Sequence, residues 1–137
     1  MHSLVPNLMV ANVRESVAFY EQFGFEVRMA VPDGEDDVHD VLAPDEWYVY
    51  AQLSAGEVEL MLQEAESLRT DVPALADVEI GASLTLYVTV EDVDARYESV
   101  ADDVEVLQPP AETWYGMREC YVRDPDGYVL GFASEAR

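Results

Sequence analysis

The sequence predicts an α+β fold of two tandem βαβββ modules, and three observations carry that expectation. Strand-like runs and one short helical stretch follow the same order in both halves. The junction "VANV" at Val10 to Val13 is mirrored by "VEDV" at Val90 to Val93. A Trp-Tyr pair opens the third strand region of each half, at Trp47 and at Trp114. Agreement of element order, helix cap and aromatic pair together marks an internal repeat. A chain of 137 residues is sized for one domain, 1–137, with module one over about 3–66 and module two over about 81–136.

In module one, "VPNLMVA" alternates as a strand does, ending near Ala11. Val13, Val17, Phe19, Tyr20 and Phe23 then recur at helical spacings; Asn12 is placed to cap the first free amides and Gly24 to stop the helix. The strand "FEVRMAV" follows. A polar loop, "PDGEDDVHDVLAPDE", has no apolar period and contains His39. "WYVYAQL" and "EVELMLQ" read as two more strands joined by the turn "SAG". An acidic, proline-containing connector runs from about Glu64 to Gly81.

Module two repeats this plan. "SLTLYVTV" is a strand, Asp92 takes the cap position, "VDARYESVA" is a shorter helix, and "DVEVLQPP", "WYGMRECYV" and "YVLGFAS" are the remaining strands. Between the last two lies "DPDG", Asp124 to Gly127. An acidic loop can hold a cation, yet this residue order is also what a tight turn needs: proline fixes one φ and glycine accepts a positive one. The flanking strands favour the hairpin turn. Each module is thus a four-stranded sheet with one helix on its outer face, and the two must share a boundary, because one helix covers only one face.

Composition excludes several classes of function. Asp and Glu number 29 against seven basic residues, all arginine, for a formal charge of −22. Such a field repels nucleic acid and anionic membranes. It also makes a protein adapted to high salt the simplest reading of the acid excess, since self-repulsion is relieved as the Debye length falls to ~3 Å at 1 M. A carboxylate singled out as a ligand must be weighed against that background. No apolar run approaches the ~18 residues of a membrane span, and "MHSLVPNLMV" lacks the features of a signal peptide; the expectation is a soluble cytoplasmic protein. The lone cysteine, Cys120, excludes an internal disulfide and reads as a small strand residue rather than a reactive thiol.

"LMVANVRESVAFYEQFGFEV" and "WYGMRECYVRDPDGYVLGFASE" together resemble the vicinal oxygen chelate superfamily, which includes glyoxalase I, fosfomycin resistance enzymes, extradiol dioxygenases and bleomycin resistance proteins. The closing phrase is most similar to the bleomycin-resistance branch. The resemblance spans nearly the whole chain and implies paired βαβββ modules forming a curled mixed sheet around a cleft, in a dimer. In the family's enzymes a divalent metal is held by His, Glu or Gln from the first and last strands of the modules. Carried over position by position, those ligands fall at Val5, Thr85, Gly131 and, at or beside it, Glu59. Three of these lack a useful donor, whereas an open metal site needs about three protein ligands. The expectation is therefore no metal and no other cofactor.

With those positions taken as inward, strand parity brings in Asn7, Met9, Tyr48, Tyr50, Gln52, Glu59, Met61, Thr85, Tyr87, Met117, Glu119 and Tyr121, and the resemblance places Trp114 at the cleft mouth. Aromatic and methionine side chains with few polar anchors suit a small hydrophobic or cationic organic ligand held by area and stacking. The same side chains could instead pack on one another and close the cleft. Two functions of different class remain: a binding protein that sequesters a small molecule, and an enzyme. The enzyme would be a metal-dependent lyase or dioxygenase with an atypical ligand set, or a metal-free isomerase or hydrolase using Glu59 or Glu119 as general base. A homodimer is expected, because modules of this size cover too little of their own sheets.

Overall fold

The computed structural model describes residues 1–81 and 83–136. The chain forms two compact units, one ending at Ile80 and one starting at Gly81. Each is built on a four-stranded mixed sheet. No helix among the described residues is long and apolar enough to cross a membrane.

In the first unit β1 (Asn7–Val10) is followed by α1 (Val13–Glu21), β2 (Glu26–Pro32), β3 (Tyr48–Ala55) and β4 (Val58–Glu64), with sheet order β1-β4-β3-β2. Strand β1 pairs parallel with β4, Asn7 opposite Met61; the other pairings are antiparallel. Asn12 caps α1, its Oδ1 accepting from Glu15 N at 3.2 Å, and Gly24 with φ +88° lets the chain leave the helix where a side chain would be strained. Val13, Val17 and Tyr20 are buried, as are Leu8, Val10, Ala51, Leu53, Leu60 and Leu62 of the sheet. The sheet residues among these share one parity, which defines the helix-covered face. Asn7, Met9, Tyr50, Gln52, Glu59, Met61 and Gln63 have the other parity.

The connector expected from Glu64 to Gly81 contains a helix, α2 (Ala65–Asp71), and a single 3-10 turn, Pro73–Leu75. Glu64, the last residue of β4, supplies the start signal: its carboxylate accepts from the backbone amides of Glu66 and Ser67. A glutamate cap is less conspicuous in sequence than Asp, Asn, Ser or Thr, and the segment is too short to display a helical period.

In the second unit β5 (Thr85–Thr89), α3 (Val93–Val100), β6 (Glu105–Glu112), β7 (Met117–Arg123) and β8 (Val129–Glu135) repeat the plan, with sheet order β5-β8-β7-β6. Asp92 caps α3, its Oδ1 accepting from Ala95 N at 3.1 Å. Pro109 and Pro110 fall in β6, an edge strand, where a missing N–H is tolerated. Cys120, Val122, Leu130 and Phe132 are buried on the helix side. The "DPDG" stretch is the β7–β8 turn. Asp124 N donates to Tyr128 O at 2.8 Å, Gly127 takes φ +96°, and Asp124 Oδ1 accepts from Asp126 N and Tyr128 N, both at 2.9 Å. That carboxylate oxygen serves the turn itself.

Candidate functional site

The helix-free face of the second sheet carries a cluster of three phenols on one carboxylate. Tyr87 on β5, Gly131 on β8 and Tyr121 on β7 stand in one row across the sheet, and Glu119 lies two residues before Tyr121 on the same face. Gly131 shapes the row, because a Cβ there would fall 2.6 Å from Tyr121 Cε1. Its absence lets the Tyr121 ring lie over the strand. Glu119 Oε2 accepts from Tyr87 OH. Both of its oxygens accept from Tyr115 OH at 2.8 Å, and Oε1 also accepts from Tyr121 OH at 3.3 Å. Glu119 is 7% exposed, whereas Tyr87 and Tyr115 are 47% and 52% exposed. The carboxylate is thus covered by phenols whose rings remain open to solvent.

The electrostatics follow from these contacts. Donation to Glu119 raises the pKa of Tyr87 well above the ordinary phenol value, and raises that of Tyr115 for the same reason. Tyr121 is raised chiefly by burial, and then by the charge of Glu119. The phenols therefore stay protonated donors through neutral pH, and a negative charge sits behind aromatic rings. Trp114 extends the surface: it is 94% exposed and meets Tyr115 edge to face, with ring centroids 5.4 Å apart.

The face of the first sheet opposite α1, met by α2 at Gln63, has a softer character. Asn7 Nδ2 donates to Gln63 Oε1 at 3.0 Å, and Gln63 Nε2 in turn donates to Ser67 Oγ at 2.9 Å and Asp71 Oδ2 at 2.8 Å. Asn7 Oδ1 is buried without a partner among the described residues. Tyr50 OH donates to Met61 Sδ at 2.7 Å, and burial raises the Tyr50 pKa. Met9 is buried on this face and Gln52 lies opposite Met61 and Met29.

Several sequence-derived positions lie differently from expectation. Tyr48 does not share a face with Tyr50: Val31 opposes Tyr50 while Pro32 opposes Tyr48, so Val49 is an extra residue that breaks the two-residue alternation. Tyr48 is 2% exposed; its OH contacts His39 Nδ1 at 2.6 Å and accepts from Ala43 N at 2.7 Å, with the Arg14 guanidinium 5.6 Å from its ring centroid. It anchors the loop after β2. Trp114 lies in the turn between β6 and β7, before the strand it was expected to open. Met117 and Thr85 occupy the ends of β7 and β5. Tyr115, which completes the Glu119 cluster, was missed because it too sits in that turn, where strand parity gives no guidance; its place four residues before Glu119 is the one available signal.

The metal positions implied by resemblance also change alignment. Val5 precedes β1, and Glu59 is exposed near the β3–β4 turn, opposite Ser54. Asn7 stands three residues before Val10 as Tyr87 stands three before Val90, and Asn7 opposes Met61 as Tyr87 opposes Gly131. Within the repeat the counterpart of Gly131 is therefore Met61, not Glu59. The first of these rows offers an amide and a thioether engaged by Tyr50, and the second a phenol engaged by Glu119; neither donor set suits a hard divalent ion. Away from both rows, Glu35, Asp37 and His39 bring ligand-type atoms within 4.8 Å, but His39 Nε2 already pairs with Asp37 at 3.3 Å and its Nδ1 with Tyr48. On the helix side of the second unit, Glu91, Asp92, Asp94, Glu112, Ser134 and Glu135 line a concavity of about 380 Å³ with Arg118, which is tied to Asp94 at 2.6 and 2.9 Å.

A model of the Glyoxalase/Bleomycin resistance protein/Dioxygenase superfamily matches residues 2–132. Among solved structures, the chain is similar to TioX from Micromonospora sp. ML1, at 19% identity and TM-score 0.70 over 98% of this chain and 99% of that one. A glyoxalase/bleomycin resistance protein/dioxygenase from Nocardioides matches at 23% identity and TM-score 0.70, over 100% and 85% of the two chains. A protein of unknown function from Agrobacterium tumefaciens matches at 23% and 0.72, over 97% and 93%. These likenesses bear on the fold. No curated protein matches significantly.

Proposed function

Since the chain belongs to the glyoxalase/bleomycin resistance protein/dioxygenase superfamily, we propose that it is a metal-independent member that binds a small hydrophobic or cationic organic molecule on the sheet faces opposite α1 and α3. One observation carries the reading: in each unit, the row that pairs first and last strands lacks His and carboxylate side chains, with Asn7 opposite Met61 in one and Tyr87 opposite Gly131 in the other. Such a row offers stacking area and hydrogen bonds in place of His and carboxylate ligands. Tyr87, Glu119, Tyr121 and Trp114 supply aromatic surface with one buried charge; Met9, Tyr50, Gln52 and Met61 supply a polarizable face that adapts to an irregular shape.

Glu119 is less suited to acting as general base, because it is 7% exposed and already accepts from three phenols that cover it. Glu59 is exposed beside the β3–β4 turn, opposite Ser54, where water competes for any substrate proton. Binding is therefore favoured over catalysis. The unit is a homodimer in the cytoplasm of a high-salt cell, the exposed Trp114 contributing to its partner surface. Elemental analysis of protein purified without chelator tests the metal claim. Zn, Ni, Mn and Fe are expected well below one per chain; one tightly held ion per chain would overturn it.

A further inference from the structure

We propose that the cluster of Tyr87, Tyr115 and Tyr121 around Glu119 selects a quaternary ammonium group over an ammonium that bears N–H bonds. The inference rests on the small-molecule reading above and narrows its ligand class. A carboxylate has about four lone-pair sites. Here three phenol protons occupy them: Tyr121 donates to Oε1, Tyr87 to Oε2, and Tyr115 shares its one proton between both oxygens. A primary ammonium needs acceptors for its three protons as it leaves water, and Glu119, 7% exposed beneath three phenol donors, leaves it at most one lone-pair site. A quaternary ammonium has no proton to place. It needs only negative potential and polarizable surface, and the cluster supplies both without breaking a hydrogen bond.

Donation to Glu119 holds Tyr87 and Tyr115 protonated through neutral pH. Ring faces are attractive to cations because of the aromatic quadrupole, and Tyr87 and Tyr115 are about half exposed. Tyr121 lies over Gly131, which leaves the ring face turned from the strand as a platform. Sequestering the carboxylate beneath these rings also separates it from the exposed carboxylates of this chain, which attract any cation without discrimination.

Three probes sharing a hydroxyethyl tail test the inference: choline, protonated ethanolamine and 3,3-dimethylbutan-1-ol, the neutral carbon isostere of choline. Each is titrated into the full-length protein in 1 M KCl at pH 7.5, where nonspecific attraction is screened to ~3 Å, and followed by tyrosine ring NMR shifts. Choline is expected to bind about tenfold more tightly than either of the others, with shifts at Tyr87, Tyr115 and Tyr121. Ethanolammonium binding as well as choline overturns the inference, as does a lack of choline binding. If the neutral alcohol binds equally, the cation preference is wrong while small-molecule binding on this face survives. A Tyr87→Phe/Tyr115→Phe variant keeps the rings and frees acceptor sites on Glu119. Choline affinity should stay within about threefold while ethanolammonium gains; loss of choline with no gain for ethanolammonium counts against the proposal.

Discussion

Substituting Gly131→Ala probes how the candidate site is built. The added Cβ would stand 2.6 Å from Tyr121 Cε1, 3.1 Å from Cδ1 and 3.2 Å from Cζ. Carbon atoms pack favourably at ~3.5–4.0 Å, so the ring must retreat by about 1 Å. The 3.3 Å contact from Tyr121 OH to Glu119 is already long and will not survive that shift. Overpacking of this kind costs about 1–3 kcal/mol, which for a chain of this length lowers Tm by roughly 3–10 °C. Thermal unfolding in 1 M KCl measures it. The Tyr121→Leu background supplies the control, since removing the ring should relieve the clash and make the two substitutions strongly non-additive. If Gly131→Ala costs the same with and without the ring, Tyr121 does not lie over Gly131 and the description of the site is wrong.

Further outcomes follow from the same contacts and from the charge. In a spectrophotometric titration, Tyr87 and Tyr115 should ionise late, and Glu119→Gln should bring both back toward ordinary phenol values; late ionisation that survives Glu119→Gln would remove the carboxylate as its cause. Because their folded-state pKa values are raised, the stability these tyrosines contribute is complete below pH ~10 and declines as pH climbs beyond it, a loss that urea unfolding at pH 9 and 11 should register. The melting temperature should rise steeply from low salt to about 1 M KCl, as screening relieves repulsion in a chain of charge −22; a flat profile would show the charge is locally compensated. Trp114→Ala should weaken both ligand binding and dimerisation in sedimentation at high salt, whereas a wild-type monomer at tens of micromolar would remove the dimer from the account.

The repeat was legible because its signals are local. Asn12 and Asp92 cap helices at matching junctions, apolar parity marks one face of each sheet, and "DPDG" has turn chemistry of its own. The face assignments failed where alternation is interrupted: nothing in "WYVYAQL" announces that Val49 is extra, and that one residue carries Tyr48 to the other side. Alignment across the repeat was similarly hidden. Opposing Gly131 with Tyr87, and hence matching it to Met61, depends on pairing register, which a single sequence does not display. The Glu119 cluster was half visible. Parity grouped Tyr87, Glu119 and Tyr121, whereas Tyr115 reaches the carboxylate from a turn, and Tyr121 has room for its ring because position 131 is glycine.

The most direct test of ligand binding without metal is a native mass spectrum of the protein taken straight from its host, before dialysis, in the most salt the method tolerates. An organic mass bound to the folded chain, lost in a Gly131→Ala or Tyr121→Leu variant and carrying a fixed positive charge, is the predicted result. A chain whose only added mass is one divalent ion, retained after desalting, would contradict it.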